Sequence, residues 1–176
     1  FSVSSAGDVN KDGYSDLLIG APYANPLIRG ANPGVAHLLF GKLGGLADVD
    51  IASASFNGVD GIKIFGTSES YLGNSVSGAG DINGDDIDDF IIGAYRFTRS
   101  SPTVTQAGMA VVIFGKLSGW ADIDMVNFTS TSGIGFRVTG HAAYFRLGTS
   151  VSGAGDVNND GFADIIITAA GADPGA

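Results

Sequence analysis

An aspartate-rich segment of nine residues occurs three times in the chain and constrains its fold more than any other feature. The copies begin at residues 8, 81 and 156, a spacing of about 75 residues. Each copy places oxygen-bearing side chains at its positions 1, 3, 5 and 9 and a bulky apolar residue at position 7. A hard cation such as Ca²⁺ requires many oxygen ligands, several of them ionised, from a loop that folds around it. The sequence therefore predicts a repeat protein with one metal loop in each unit.

Composition and charge narrow the fold class and the partners. The chain has 28 glycines and no long helical pattern, which favours an all-β protein with many tight turns. Its formal net charge is −9, and this argues against nucleic acid as a partner because phosphate backbones require a basic surface. No apolar run reaches the length of a membrane span, so we expect none in this segment. The absence of cysteine excludes a disulfide framework.

The segments on either side of each loop have the composition of paired strands. A run of small residues precedes each loop, and small side chains allow neighbouring strands to approach closely. A short, unbroken apolar run follows each loop, which indicates a strand covered on both faces. Each loop is therefore expected to join the first two strands of a unit. The small-residue runs are residues 2–7, 75–80 and 150–155, and the apolar runs are residues 17–19, 90–92 and 165–167.

Two more strands are predicted in each of the first two units. Third strands are expected at residues 35–42 and 109–116, and half-exposed fourth strands at residues 62–66 and 134–140. Four antiparallel strands per repeat are the unit of a β-propeller blade. We therefore predict an incomplete propeller. Its first blade covers residues 1–70, its second covers 71–145, and residues 146–176 form the first half of a third.

The repeated motifs resemble the FG-GAP repeat, the unit of the seven-bladed propeller of integrin α subunits and of many bacterial and protist surface proteins. The resemblance is carried by the pair Leu72-Gly73, by the loops, and by Gly20-Ala21-Pro22 after the first apolar run. It extends over essentially the whole chain. The FG pair itself reads Leu72-Gly73 and Leu147-Gly148, so the units are not identical copies.

The resemblance also implies a ligand set and three calcium ions, one per loop. In that family the ligands are the side chains at positions 1, 3, 5 and 9 and the backbone carbonyl at position 7. The apolar side chain at position 7 is then expected to hold the loop on the blade core. The implied ligands are Asp8, Asn10, Asp12, Tyr14 and Asp16; Asp81, Asn83, Asp85, Ile87 and Asp89; and Asp156, Asn158, Asp160, Phe162 and Asp164.

An EF-hand loop begins with the same pattern but is excluded. It needs an acidic ligand at position 12, where this chain has Ile19, Ile92 and Ile167. The flanking segments also have the pattern of strands rather than of amphipathic helices. The loops are therefore expected to be hairpin loops.

Position 6 of the loop is expected to have a positive φ, which suits glycine. Glycine occupies it in two loops, whereas the middle loop has Asp86. An aspartate tolerates this conformation at a modest cost. Since Asp88 also adds a charge without an evident partner, we expect the middle loop to be the most perturbed.

The likeness to integrin propellers implies an extracellular or cell-surface segment in adhesion, protein–protein binding or scaffolding, with a protein or glycan ligand. The links between second and third strands, residues 21–34 and 94–108, differ most between units. In integrins such links lie opposite the calcium loops and contact partners, and variable loops on a rigid scaffold commonly bind. These links carry Arg29 in the first unit and Arg96, Phe97 and Arg99 in the second.

Two alternatives are an accessory or catalytic propeller of a secreted hydrolase, phospholipase or carbohydrate-active enzyme, and a structural module of a filament or cell coat. No sequence signature supplies His37 or His141 with a catalytic partner. Acids outside the loops recur as Ala-Asp-Val-Asp (47–50) and Ala-Asp-Ile-Asp (121–124). This recurrence indicates blade architecture rather than one active site, so we expect no enzyme.

Two and a half blades cannot close a propeller, and uncovered blade faces favour association. The isolated chain is therefore expected not to stay an ordinary monomer. Either the remaining blades of a longer chain or other copies of this chain would cover these faces.

Overall fold

The computed structural model describes residues 1–26, 30–46, 48–51, 56 and 58–172. In this part of the chain the regular structure consists of β-strands and one 3₁₀ turn, Ser130–Ser132. No helix among these residues is long and apolar enough to cross a membrane. The strands are β1 (Ser2–Gly7), β2 (Asp16–Ala21), β3 (Val35–Leu39), β4 (Gly61–Phe65), β5 (Val76–Gly80), β6 (Asp89–Ala94), β7 (Arg99–Ser100), β8 (Thr103–Val104), β9 (Met109–Ile113), β10 (Ile123–Asp124), β11 (Gly135–Thr139), β12 (Leu147–Gly155) and β13 (Asp164–Ala169).

Apart from the short pair β7–β8, the strands form three successive sheets that correspond to the three sequence units. The first has the order β1-β2-β3-β4-β10, the second β5-β6-β9-β11, and the third is the pair β12-β13. Consecutive strands β1 to β4 pair antiparallel, as do those of the second sheet. The predicted all-β class and the blade unit of four antiparallel strands are confirmed.

Two strand pairings were not predicted from the sequence. Strand β10 lies in the second unit but pairs in parallel with β4 of the first sheet. The link after β6 forms the short hairpin β7–β8. The first sheet therefore has five strands, and its last strand comes from the next unit.

The three apolar runs after the loops differ in burial. Phe90, Ile91 and Ile92 are fully buried, because the second sheet packs between the other two. In contrast, Leu17 is 38% exposed and Ile166 is 56% exposed. The prediction that each run is covered on both faces is therefore wrong for the first and third sheets, which have a neighbouring sheet on only one side among the described residues.

The first strand of the second sheet, β5, lies close to the first strands of the other two sheets, β1 and β12. A Cβ built on Gly78 would lie 2.8 Å from the Ser5 carbonyl oxygen, and one on Gly153 would lie 2.7 Å from that of Gly78. Serine hydroxyls accept hydrogen bonds across these contacts, for example Ser75 Oγ from Val151 N at 3.1 Å. The prediction that small residues allow close approach is confirmed.

Side chains from the links complete the core. The Trp120 ring packs against Phe40 at 5.5 Å between ring centroids, and its indole N–H donates to the Lys116 carbonyl. His37 is buried next to Phe56, and its Nδ1 has no hydrogen-bond partner among the described residues. Burial and the nearby Lys63 charge lower the pKa of His37, so a neutral packing residue is the role that fits this position.

Candidate metal centres

Each aspartate-rich loop begins at a β-bulge. The pairing of the first two strands shifts register at the residue before Gly7, Gly80 and Gly155. These glycines have φ values of +81°, +69° and +69°, a conformation that a side chain would strain. The bulge bends the backbone at the end of the first strand. Position 1 of each loop is the residue that directly follows the bulge glycine.

The carboxylate at position 1 accepts backbone hydrogen bonds from the turn of the loop. Asp8 accepts the N–H of Asp12 at 3.0 Å and that of Gly13 at 2.8 Å. Asp81 and Asp156 accept the equivalent N–H groups in their own loops. The chain is thus wrapped around this carboxylate in all three units.

The side chains at positions 3 and 5 are joined to each other and to the same turn. The Asn10 side-chain oxygen accepts the N–H of Asp12 at 3.0 Å, and its amide donates to the Asp12 carboxylate at 3.0 Å. Asp12 accepts the N–H of Tyr14 at 2.9 Å. The second and third loops repeat these bonds through Asn83 and Asp85 and through Asn158 and Asp160.

The carboxylate at position 9 accepts backbone N–H groups; it is buried at Asp16 and Asp89 and partly exposed at Asp164. Asp16 accepts the N–H of Val9 at 2.9 Å and that of Gly41, beyond the third strand, at 2.8 Å. Asp89 makes the equivalent bonds with Ile82 and Gly115, and Asp164 accepts from Val157. Burial, together with the charges at positions 1 and 5, raises the pKa of Asp16 and of Asp89 from 3.8 to about 6, although the backbone N–H donors oppose this rise.

The backbone has a positive φ at two positions of each loop. Position 6 has φ values of +92° at Gly13, +62° at Asp86 and +92° at Gly161, which confirms the prediction for this position. Position 4 also lies in the left-handed region, at Lys11, Gly84 and Asn159. Each loop thus has one glycine and one other residue in this region. In the middle loop the glycine is at position 4 and the residue with a Cβ is at position 6, the reverse of the other two loops. The expectation that the middle loop is the most perturbed stays a prediction.

The side chain at position 7 holds the loop on the core only in the second unit. Ile87 is buried, but Tyr14 is 37% exposed and Phe162 is 46% exposed. Phe162 instead lies against the neighbouring loop, since a Cβ added to Gly84 would meet its ring at 2.5 Å. The predicted anchoring role is therefore confirmed for Ile87 and wrong for Tyr14 and Phe162.

Position 8 connects the second loop to the first and the third loop to the second. The Asp88 carboxylate accepts the N–H of Asp8 at 2.8 Å, so this charge has a partner and the expectation of an unpaired Asp88 is wrong. In the third loop the N–H of Ala163 donates to the Asp81 carbonyl at 2.8 Å. The three loops therefore form a connected row at one end of the sheets.

The loops supply the donors that Ca²⁺ prefers, namely three carboxylates and one amide oxygen each. Within the described ranges, no three His, Cys, Asp or Glu side chains come together in a group that could hold a metal ion. The carboxylates accept backbone N–H groups in this arrangement, and burial, together with the charges at positions 5 and 1, raises the pKa of Asp16 and of Asp89. The donor chemistry therefore fits calcium, and the fifteen implied ligands stay a prediction.

The opposite end of the sheets carries an aromatic group that the sequence reading missed. We name Tyr23, Tyr71 and Tyr95 the tyrosine cluster: ring centroids lie 5.6 Å apart for Tyr23 and Tyr71 and 5.7 Å apart for Tyr71 and Tyr95. Tyr23 is 63% exposed. These residues border a cavity of about 210 Å³ that Asn74 and Thr149 also line. The tyrosine cluster thus brings together one residue from each of three links that are far apart in sequence.

The variable links contribute to this end in different ways. Arg96 lies over the Tyr71 ring at 4.8 Å and donates to its hydroxyl at 3.1 Å. Phe97 is buried in the core, and Arg99 lies on β7. Arg29 lies outside the described residues. Arg96 thus contacts the tyrosine cluster through both the ring and the hydroxyl of Tyr71.

Comparison with known proteins gives matches to one repeat family. FG-GAP repeats match residues 1–39, 72–113 and 147–176. The chain is 27% identical to integrin alpha pat-2 of Caenorhabditis elegans over 62% of its length, and 29% identical to integrin alpha-5 of Xenopus laevis over 94%. It is 28% identical to bovine phosphatidylinositol-glycan-specific phospholipase D over 93% of its length. The matches cover 8%, 13% and 18% of these relatives, so the chain spans less than a fifth of each.

Proposed function

The chain belongs to the FG-GAP repeat family, and from this premise we propose that it is a calcium-stabilised, extracellular propeller segment that binds a protein or glycan partner in adhesion. Its blades would cover residues 1–70, 71–145 and, as a first half, 146–176. The tyrosine cluster is the observation that carries the binding function. Tyr23 is exposed, Tyr71 and Tyr95 are partly exposed, and the cluster lies at the end of the sheets opposite the metal loops.

The tyrosine cluster has the properties of a binding surface. Tyrosine is enriched at the centres of protein interfaces because it buries a large area with few rotatable bonds. Tyr71 is held by hydrogen bonds from Asn32 and Arg96 at 3.1 Å each, so its ring is fixed before a partner arrives. A partner would therefore lose little additional conformational entropy from this residue on binding.

Calcium would serve structure rather than chemistry in this proposal. The implied ligands at positions 1, 3, 5, 7 and 9 would hold one ion per loop, and the ion would offset the repulsion among the loop carboxylates. Since Asp88 and Ala163 connect consecutive loops, ordering one loop would also support its neighbour. The rigid row of loops would then fix the sheets that present the tyrosine cluster.

A second candidate function is an accessory propeller of a secreted hydrolase. It is favoured by the likeness to the phospholipase, which extends over 93% of the chain. The integrin relatives favour adhesion instead. Binding of a phosphatidylinositol-glycan to the chain, with equal affinity in the Tyr23→Ser variant, would favour this accessory role.

The binding proposal is tested on immobilised extracellular matrix proteins and a glycan array. Tyr23→Ser should weaken binding at least about tenfold, the equivalent of about 1.4 kcal/mol. The matched control is Leu43→Ser, because Leu43 is 82% exposed and lies at the metal-loop end. Equal loss in both variants, or no loss in Tyr23→Ser, would remove the tyrosine cluster as the binding surface.

A further inference from the structure

A short segment of the second unit crosses to the first sheet and closes its outer edge. We call this segment, residues 122–125, the strap. Its strand β10 pairs in parallel with β4, with Ile123 opposite Ile64. The N–H of Met125 donates to the Phe65 carbonyl at 3.0 Å, and Asp122 Oδ1 accepts the N–H of Lys63 at 2.8 Å. Backbone and side-chain bonds together satisfy polar groups that an open sheet edge exposes.

The strap also completes the core. Met125 is 2% exposed, and Ile123 packs against the main apolar cluster. The residue opposite the strap, Ile64, is fully buried. Covering the edge therefore removes apolar surface from water on both partners, which is favourable at about 25 cal/mol per Å².

The first unit carries the same segment in a different environment. Residues 48–51 read Asp-Val-Asp-Ile, where the strap reads Asp-Ile-Asp-Met. They belong to no strand of the described sheets, and Ile51 is 41% exposed although its counterpart Met125 is buried. The last residue of this pattern is thus buried in the second unit, where the segment pairs with β4. It is exposed in the first unit, where no outer strand among the described residues pairs with the segment.

The second sheet has the matching edge. Its outer strand β11 pairs with β9 in the same register as β4 pairs with β3. Val138 lies opposite Ala110, just as Ile64 lies opposite Ala36. The far edge of β11 has no partner strand among the described residues, and Val138 is 37% exposed. The position of Lys63 is taken by Arg137, which keeps a cation beside the place of the strap's aspartates.

We propose that the outer edge of β11 is a docking site for an extended Ala-Asp-aliphatic-Asp strand, the strap of the FG-GAP repeat that follows it in order. The strand pairs in parallel, with its aliphatic residue opposite Val138 and its first aspartate accepting the N–H of Arg137. Main-chain hydrogen bonds hold such an added strand, and the side chains determine which strand fits. The proposal concerns the sheet edge and does not depend on the proposed adhesion function.

The pairing of β10 with β4 indicates that the strand docked on β11 comes from a following repeat rather than from a second copy of the chain. The strap of one unit covers the outer strand of the unit before it. The place of the following unit is already taken by β12 and β13, since β12 packs on β5 and β6. The first sheet of a second copy would have to enter that same space to bring its residues 48–51 to β11.

Cysteine cross-linking tests the site and its register. The chain has no cysteine, so Val138→Cys gives a single thiol. The probe is a synthetic peptide of residues 119–127 with Ile123→Cys, incubated with the protein in a glutathione buffer. Disulfide formation should be at least about tenfold faster than with Leu43→Cys, an exposed site elsewhere, because docking raises the effective concentration. Thr139→Cys, whose side chain faces the other side of the sheet, should also react slowly.

Three results would overturn the proposal. One is an equal rate for Val138→Cys and Leu43→Cys, and another is an equal rate for Val138→Cys and Thr139→Cys. The third is coupling of Val138→Cys protein to Val49→Cys protein as fast as to the peptide, which would make a second copy the occupant. Because a variant could alter the fold, a second measurement uses the unchanged protein. The unmodified peptide of residues 119–127 should shift the Arg137 amide signal in NMR spectra, and a peptide with Asp122→Ala should not.

Discussion

The Asp88 carboxylate accepts the backbone N–H of Asp8 at 2.8 Å, across 80 residues of sequence. It lies directly against Gly7, where a Cβ would collide with it. The bond joins position 8 of the second loop to position 1 of the first. The loops are therefore not independent units, and a change in one should affect the stability of the next.

Removing this bond should destabilise the protein. Asp88→Ala leaves the Asp8 N–H without its acceptor, and we expect the free energy of unfolding to fall by about 1–3 kcal/mol. Asp88→Asn keeps an acceptor oxygen and should recover most of that loss. Urea unfolding at pH 7 with calcium present measures both variants. Equal stability of Asp88→Ala and the unchanged protein would mean that the loops are not coupled through this bond.

Calcium removal should lower the melting temperature markedly. Nine carboxylates at the implied ligand positions repel one another without the ion, and an ion that binds only the folded form stabilises it by mass action. Ca²⁺ should restore the melting temperature better than Mg²⁺, which prefers a smaller octahedral site. Differential scanning calorimetry with chelator and with each ion tests this. An unchanged melting curve in excess chelator would refute the structural role of calcium.

The strands next to the loops could be predicted because their signals are local. The bulge glycine, the loop acids and the apolar run lie within about 15 residues of each other and recur in register. Likewise, the turn chemistry of a glycine at position 6 predicts its positive φ without knowledge of the rest of the fold. The stronger burial of β6 than of β2 and β13, by contrast, depends on which sheets have neighbours on both sides.

The missed features depend on contacts between units. The strap has the sequence of an ordinary polar link, and only its place beside β4 makes it a strand. The residues around Asp88 in the sequence give no partner for its charge, because its partner, the N–H of Asp8, belongs to another unit. The left-handed conformation of Lys11 has no sequence signal, because lysine is not a residue that favours it.

The calcium-free protein should become less stable as pH rises from about 4 to about 6. The folded pKa of Asp16 and Asp89 is about 6, above the ordinary 3.8. Between these values the folded state binds more protons than the unfolded state, so stability falls with rising pH. Urea unfolding of metal-depleted protein at several pH values measures the slope, and Asp89→Asn should reduce it. With calcium bound the slope should reverse, because protons compete with the ion for the carboxylates.

A slope in metal-depleted protein that Asp89→Asn leaves unchanged would contradict this assignment. A matched control is Asp60→Asn, since Asp60 lies in the link before β4 and pairs with Lys42 at 3.1 Å. This surface pair should contribute at most about 1 kcal/mol. Its removal should leave the slope between pH 4 and 6 as it is.

Lys11 and Asp86 have a positive φ, and replacing either residue with glycine should stabilise its loop. A residue with a Cβ costs about 1–2 kcal/mol in this conformation, while glycine costs about 0.5–1 kcal/mol through the entropy of the unfolded chain. Lys11→Gly should therefore raise the free energy of unfolding by about 0.5–1 kcal/mol. Asp86→Gly should raise it less, because aspartate tolerates the left-handed region better than lysine does.

Two controls separate backbone strain from side-chain charge. Lys11→Gln removes the charge but keeps the Cβ, so it should not reproduce the gain of Lys11→Gly. Gly84→Ala introduces a Cβ at φ +80° that would also meet the Phe162 ring, and it should destabilise the protein by more than about 1 kcal/mol. Urea unfolding of all four variants gives the ranking. If Lys11→Gly and Lys11→Gln have the same stability, strain at position 4 does not limit the stability of the loop.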